Sequence, residues 1–197
     1  VCVLGEWIPA QLAEVLALQR AEEPETAIVL AGETVADPSQ HPPSEHCDFV
    51  ISTAIWQWSG WESVALWHDL LAVAVPKRSH LLAFREIPWQ EAVKQPFVGA
   101  LSATHEGWWP AVEHVLTNAR HEHTHSVASM DLAMTLVAAG YGITIAPVAR
   151  LSSYLHRGVV LRRLSGASAI TTAYLLRPDE PLTEPHARFA QRLRSVA

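Results

Sequence analysis

The stretch Leu136 to Pro147, LVAAGYGITIAP, constrains the fold of this chain more than any other. It closes a helix expected over Met130 to Ala139. Ser129 supplies an N-cap oxygen there, and Asp131 puts a carboxylate in the first turn, where the helix dipole favours negative charge. Gly140 stops the helix, because glycine enters the left-handed conformation without a Cβ penalty. Gly142 then opens a strand, Ile143 to Ala146, and Pro147 begins the next turn. A capped helix passed through a short glycine turn into an apolar strand belongs in a layered α/β fold. Gly140-Tyr141-Gly142 is too short to cradle a phosphate; a helix stop and a tight strand entry account for both glycines.

The same grammar runs along the 197 residues. Val1 to Leu4, Thr26 to Leu30 and Cys47 to Ser52 read as buried strands. Leu70 to Val75 (LLAVAV) is a continuous apolar run, stopped by Pro76. Continuous rather than alternating hydrophobicity marks strands covered on both faces, as in a parallel sheet flanked by helices. Apolar residues at Ile8, Leu12, Val15, Leu16 and Leu18 repeat at helical spacing over Ile8 to Arg20. In the second half, helices are expected over Pro88 to Lys94, Trp108 to Ala119 and Glu184 to Val196. Strands are expected over Pro96 to Leu101, His123 to Ala128, Val159 to Leu164 and Thr171 to Leu176. Strands alternating with helices predict βαβ units. The economical division is two Rossmann-like lobes, 1–75 with 159–197 and 76–158, joined by crossovers near Val75 and Val159.

Composition bounds function by exclusion. At 49% hydrophobic and 17% charged the chain is globular rather than disordered. Its formal charge of −6 and its 14 scattered basic residues argue against a nucleic-acid surface. No apolar run approaches the roughly 20 residues that cross a bilayer, and the start lacks the layout of a secretory signal. Two cysteines, Cys2 and Cys47, are expected as buried thiols in a reducing compartment, although both fall on strands of one lobe, where a bridge is open to them. The abrupt start on an apolar strand reads as a piece of something longer. Nucleophile elbow, Walker loop, dinucleotide fingerprint and zinc-protease motif are all missing from the sequence. Binding without catalysis, and without a cofactor, is the expectation.

The order of elements resembles the effector-binding domain of LysR-type transcriptional regulators. LVAAGYGITIAP and the segment Leu66 to Ala83, LWHDLLAVAVPKRSHLLA, carry most of the likeness, with CDFVIS and KQPFV adding to it. Leu81 stands where the family has proline. The loop around Pro38, Pro42 and Pro43 replaces a helix usual there. The resemblance implies the type II periplasmic-binding-protein fold, with a small-molecule effector in the cleft between lobes. It implies a cytoplasmic homodimer or tetramer formed side by side through Ile8 to Arg20 and Thr26 to Leu30, with no part in a membrane. DNA would be met only through a winged helix-turn-helix domain that this sequence does not contain.

The cleft of such a fold is lined at the carboxyl ends of strands, where free amides and helix dipoles favour polar ligand groups. Those positions here are Glu6 and Trp7, Ser52 and Thr53, Ser102 and Thr104, and Ser129. Trp56 joins them as an aromatic wall, the plainer reading being packing under a loop. Many relatives carry a hydroxyl where Glu6 falls. Glu6 would repel a carboxylate, so the expected effector carries an amine or hydroxyl; the plainer reading is a solvated helix start. His121, His123 and His125 alternate as metal ligands on one strand face would, or as an exposed strand does. His105-Glu106 reads as rim rather than as an acid–base pair. The rival readings are a periplasmic-type solute-binding protein and, less favoured, an enzyme on the same fold.

Overall fold

Three-residue strands carry the first part of the chain: β1 (Cys2–Leu4), β2 (Ala31–Glu33) and β3 (Val50–Ser52). They are seen in a computed structural model that describes residues 1–5, 8–33, 47–102, 107–118, 124–165 and 170–196. β1 lies between the other two and is parallel to both, Val3 standing opposite Gly32 and Ile51. β10 (Ile170–Pro178) adds to β3 in the antiparallel sense, with Leu175 opposite Ile51. The side chains of β1 and β3 are buried throughout. β4 (Trp61–Pro76) is much longer than the run that announced it.

The chain divides into two units, Val1–His68 with Thr172–Ala197, and Asp69–Thr171. The chain passes from one to the other within β4 and within β10, rather than near Val75 and Val159. The reason lies in strand pairing. Leu71 to Val75 pair antiparallel with β8 (Thr144–Pro147) on one edge and β9 (Val159–Ser165) on the other, and both belong to the second unit. Leu71 to Val75 are buried, as the sequence requires, while Leu70 at the head of the expected run is exposed, and the neighbours are antiparallel rather than parallel. β5 (Ile87–Pro88) extends β9, and β6 (Phe97–Ala100) pairs in parallel with β7 (Thr124–Val127). Between these strands run α2 (Trp89–Ala92), α3 (Trp109–Asn118), α4 (Met130–Ala138) and α5 (Val148–Ser152). Met134, Val137, Ile145 and Leu151 sit in one core with Val73 and Val75.

The glycine turn after α4 is a Schellman closure. Gly140 N donates to Val137 O, Tyr141 N donates to Leu136 O, and Gly140 takes φ +87°. Ile143 N then donates to Pro96 O, and Val98 N to Ile143 O, which ties the turn to β6.

Two expectations fail in the first unit. Cys2 and Cys47 are bonded to each other, with Cα atoms 5.8 Å apart, and are not free thiols. Composition pointed to a compartment, whereas the path of the chain decides the pairing: Cys2 N donates to Phe49 O, which brings the approach to β3 alongside the start of β1. Thr26 to Leu30 is not a buried strand. Val29 is 75% exposed and Leu30 44%, and the ladder with β1 begins only at Ala31. The run is apolar enough to be a strand, but the start of β1 reaches only its last residues: Val1 N donates to Val29 O and Ala31 N to Val1 O.

α1 (Ala10–Glu22) packs on α6 (Glu184–Ser195) through an ionic clasp around Glu23. Arg192 Nη2 lies 2.9 Å from Glu23 Oε1, Arg192 Nε 2.7 Å from Glu22, and Arg188 Nε also donates to Glu23. These hydrogen bonds hold the Glu23 carboxyl at about 2, against an ordinary 4.5, and raise both guanidinium groups. A depressed carboxylate contributes stability above its unfolded value and loses it as pH falls through its folded one. Melting points of Glu23→Gln and the parent chain should therefore differ by a constant amount above 4.5 and converge toward 2. A gap that persists at the acid end would mean that the clasp does not act through this charge.

Candidate ligand-binding site

In the first unit the carboxyl end of β3 presents Ser52 and Thr53, both buried. The Ser52 hydroxyl accepts Ala54 N and Trp56 Nε1, each at 3.0 Å. With both lone pairs engaged, its proton is left to donate outward. Trp56 thus stands beside Ser52. Its ring stacks on Trp58, centroids 6.3 Å apart and planes within 5°. Trp61 meets Trp58 edge-on. The tryptophans form one aromatic stack, with Trp58 buried in the core and Trp56 half-buried.

In the second unit Ser102 follows β6. Its Oγ is buried and has no hydrogen-bond partner. Trp108, one residue before α3, is 3% exposed, and its Nε1 is likewise without a partner. A buried donor left unpaired costs roughly 1–3 kcal/mol, so these two call for an explanation. The first turn of α3 carries no acidic residue that would compete for them. Trp108 was read from sequence only as a helix start; nothing in its spacing marks the ring nitrogen as unpaired. The third buried atom without a partner, Arg177 Nε, belongs to a guanidinium that pairs with Glu62 through Nη2.

Ser129 is placed as a helix cap, its Oγ accepting Leu132 N at 3.4 Å, and Asp131 pairs with Arg157 at 2.6 Å. Glu6, Trp7 and Thr104 lie outside the described residues, as do His105, Glu106, His121, His123 and the loop around Pro38. His125 lies on β7 and meets Tyr141 edge-on at 6.2 Å. Among the described residues no group of three or more His, Cys, Asp or Glu is disposed to hold a metal, and no helix is long and apolar enough to cross a membrane.

Two α/β units linked by two shared strands, with hydroxyls at strand ends, define a protein of the type II periplasmic-binding-protein fold. The chain belongs to the LysR substrate binding domain family, which it matches over residues 2–197. The BenM effector binding domain with its effector benzoate superposes with a TM-score of 0.83 at 16% identity, covering 99% of this chain and 90% of that one. A reduced form of OxyR from N. meningitidis gives 0.77 at 14%, covering 99% and 93%. CbnR, a LysR family transcriptional regulator, gives 0.76 at 16%, covering all of this chain and 69% of that one. The chain spans about two thirds of full-length BenM, 66%. No curated protein matches the sequence significantly.

Proposed function

We propose that this chain is the effector-sensing part of a cytoplasmic LysR-type regulator and binds a small molecule at the carboxyl ends of its strands. Ser102 and Trp108 in the second unit are its polar and aromatic contacts, and the first unit carries a hydroxyl and a ring of the same kind at Ser52 and Trp56. The observation that carries the reading is the pair of buried, unpartnered donors at Ser102 Oγ and Trp108 Nε1. Acceptors on a ligand would supply the partners these donors lack. Glu6 favours an amine or hydroxyl elsewhere on the same effector over a bare carboxylate. The ligand acts as a sensor input and is not turned over.

Self-association is part of the same proposal. Ile8 just before α1, Leu18 on α1, and Val29 and Leu30 in the segment before β2 are apolar and exposed, which suits a side-by-side dimer or tetramer edge. DNA contact falls to a domain beyond this sequence.

A thermal-shift screen of small aromatic and aliphatic acids, amines and alcohols identifies the effector, because a ligand specific to the folded state raises the melting point. For the strongest hit, Ser102→Ala and Trp108→Phe should each weaken binding about five- to tenfold by titration calorimetry. Unchanged affinity in both variants, with the parent binding normally, would remove these donors from the site.

A further inference from the structure

The first unit holds a cavity of about 350 Å³ at the end of its strands opposite to Ser52. Val1 and Cys2 at the start of β1, Asp48 and Phe49 just before β3, and Ala31 at the start of β2 all line it. Because β1, β2 and β3 are parallel, these amino ends gather on one side of the sheet and the carboxyl ends on the other. The cavity is therefore separate from the strand-end donors described above, and every residue that lines it lies in the first unit.

Its walls are mostly apolar. Phe49 meets Phe189 at 5.4 Å and the His186 ring edge-on at 5.5 Å, which makes an aromatic side. Ile28 before β2 and Ala31 at its start add aliphatic lining, and the Cys2–Cys47 bridge completes it. The polar groups of the walls are mostly committed elsewhere. Gln19 donates to Glu23 and accepts from Arg192. Thr26 Oγ1 donates to Glu23, and Val1 N donates to Val29 O. Asp48 is the exception. Its carboxylate is 61% exposed, lies at the long distance of 3.8 Å from His186 Nε2, and attracts the Val1 ammonium, opposing the fall in that group's pKa that burial causes.

We propose that this cavity is a second small-molecule site, taking an arylalkyl ammonium: an aromatic ring against Phe49, Phe189 and Ile28, and a cationic head on Asp48. Rings of this kind bury well among aromatic and aliphatic walls, and a cation gains from both the carboxylate and the ring faces. The volume lies in the range of small-ligand pockets. The site needs nothing from the second unit, so it stands or falls apart from the effector reading.

The test is titration calorimetry of 2-phenylethylamine against the parent chain, with phenylacetate as the probe of equal shape and opposite charge. The amine should bind one to one with a dissociation constant on the order of 1 mM, as suits a fragment-sized ligand. Phenylacetate should bind at least about tenfold more weakly, since one charge is reversed. Asp48→Asn should weaken the amine about fivefold, and Ala27→Trp, at an exposed position on the cavity's rim, should abolish binding. Both positions are exposed, so folding is retained and is checked by circular dichroism. Equal binding of the two probes, amine affinity unmoved by Ala27→Trp, or no heat from the amine overturns the proposal.

Discussion

Reduction of the Cys2–Cys47 bridge is expected to lower the unfolding free energy by about 4 kcal/mol, taking the chain-entropy estimate for a loop of this length. The bridged residues are 45 apart, so the loop encloses α1, β2 and the approach to β3. The bridge joins the first residue of β1 to a residue three before β3, and both strands are only three residues long, with little ladder of their own. Because the effect falls on the unfolded chain, the reduced protein should also expose more surface on unfolding and show a steeper urea dependence. The comparison is urea unfolding of the oxidised chain, the chain in excess dithiothreitol, and Cys2→Ala with Cys47→Ala. Both sulfurs are buried, Cys2 4% and Cys47 6% exposed, so the double alanine variant adds no buried polar group. Coincident midpoints, with two free thiols verified by mass, would show that the bridge contributes nothing.

Gly142→Ala should be the most damaging substitution in the glycine turn, while Gly140→Ala should be mild, though the two lie two residues apart. A Cβ on Gly142 would fall 2.3 Å from Pro96 O and 2.9 Å from Pro96 C, which are backbone atoms. The same Pro96 carbonyl accepts Ile143 N at 2.9 Å, so it cannot retreat without breaking the link between β6 and the strand entry. A loss of about 3 kcal/mol follows, at the upper end of the overpacking range. Around Gly140 nothing lies within 4 Å of an added Cβ, and the cost is only that of a left-handed backbone, φ +87°. That amounts to about 1–2 kcal/mol, and less for asparagine, which tolerates this region. Denaturant midpoints of Gly142→Ala, Gly140→Ala and Gly140→Asn test the order. Equal losses at the two glycines would contradict the close approach to Pro96.

The sequence by itself determined the elements whose signals are local. Ser129 caps α4, Gly140 stops it, and α6 runs Glu184–Ser195 against an expected end at Val196. Each of these rests on hydrogen bonds within a few residues or on one amphipathic face. The α/β class followed as well, because apolar runs alternating with helices can bury their surface in few other ways. What only the tertiary structure decided is which separated segments meet. The Leu70 to Val75 run announced its burial but not its antiparallel neighbours, and Trp61 to Asp69, largely half-exposed, did not announce that β4 begins nine residues earlier. Thr26 to Leu30 has strand composition, yet the register of β1 takes Ala31 to Glu33 instead. The candidate site divides in the same way. Ser52 with Trp56 lies within a short local turn and was legible. The unpaired nitrogen of Trp108 and the meeting of Cys2 with Cys47 were not, because a missing partner and a distant one are properties of packing.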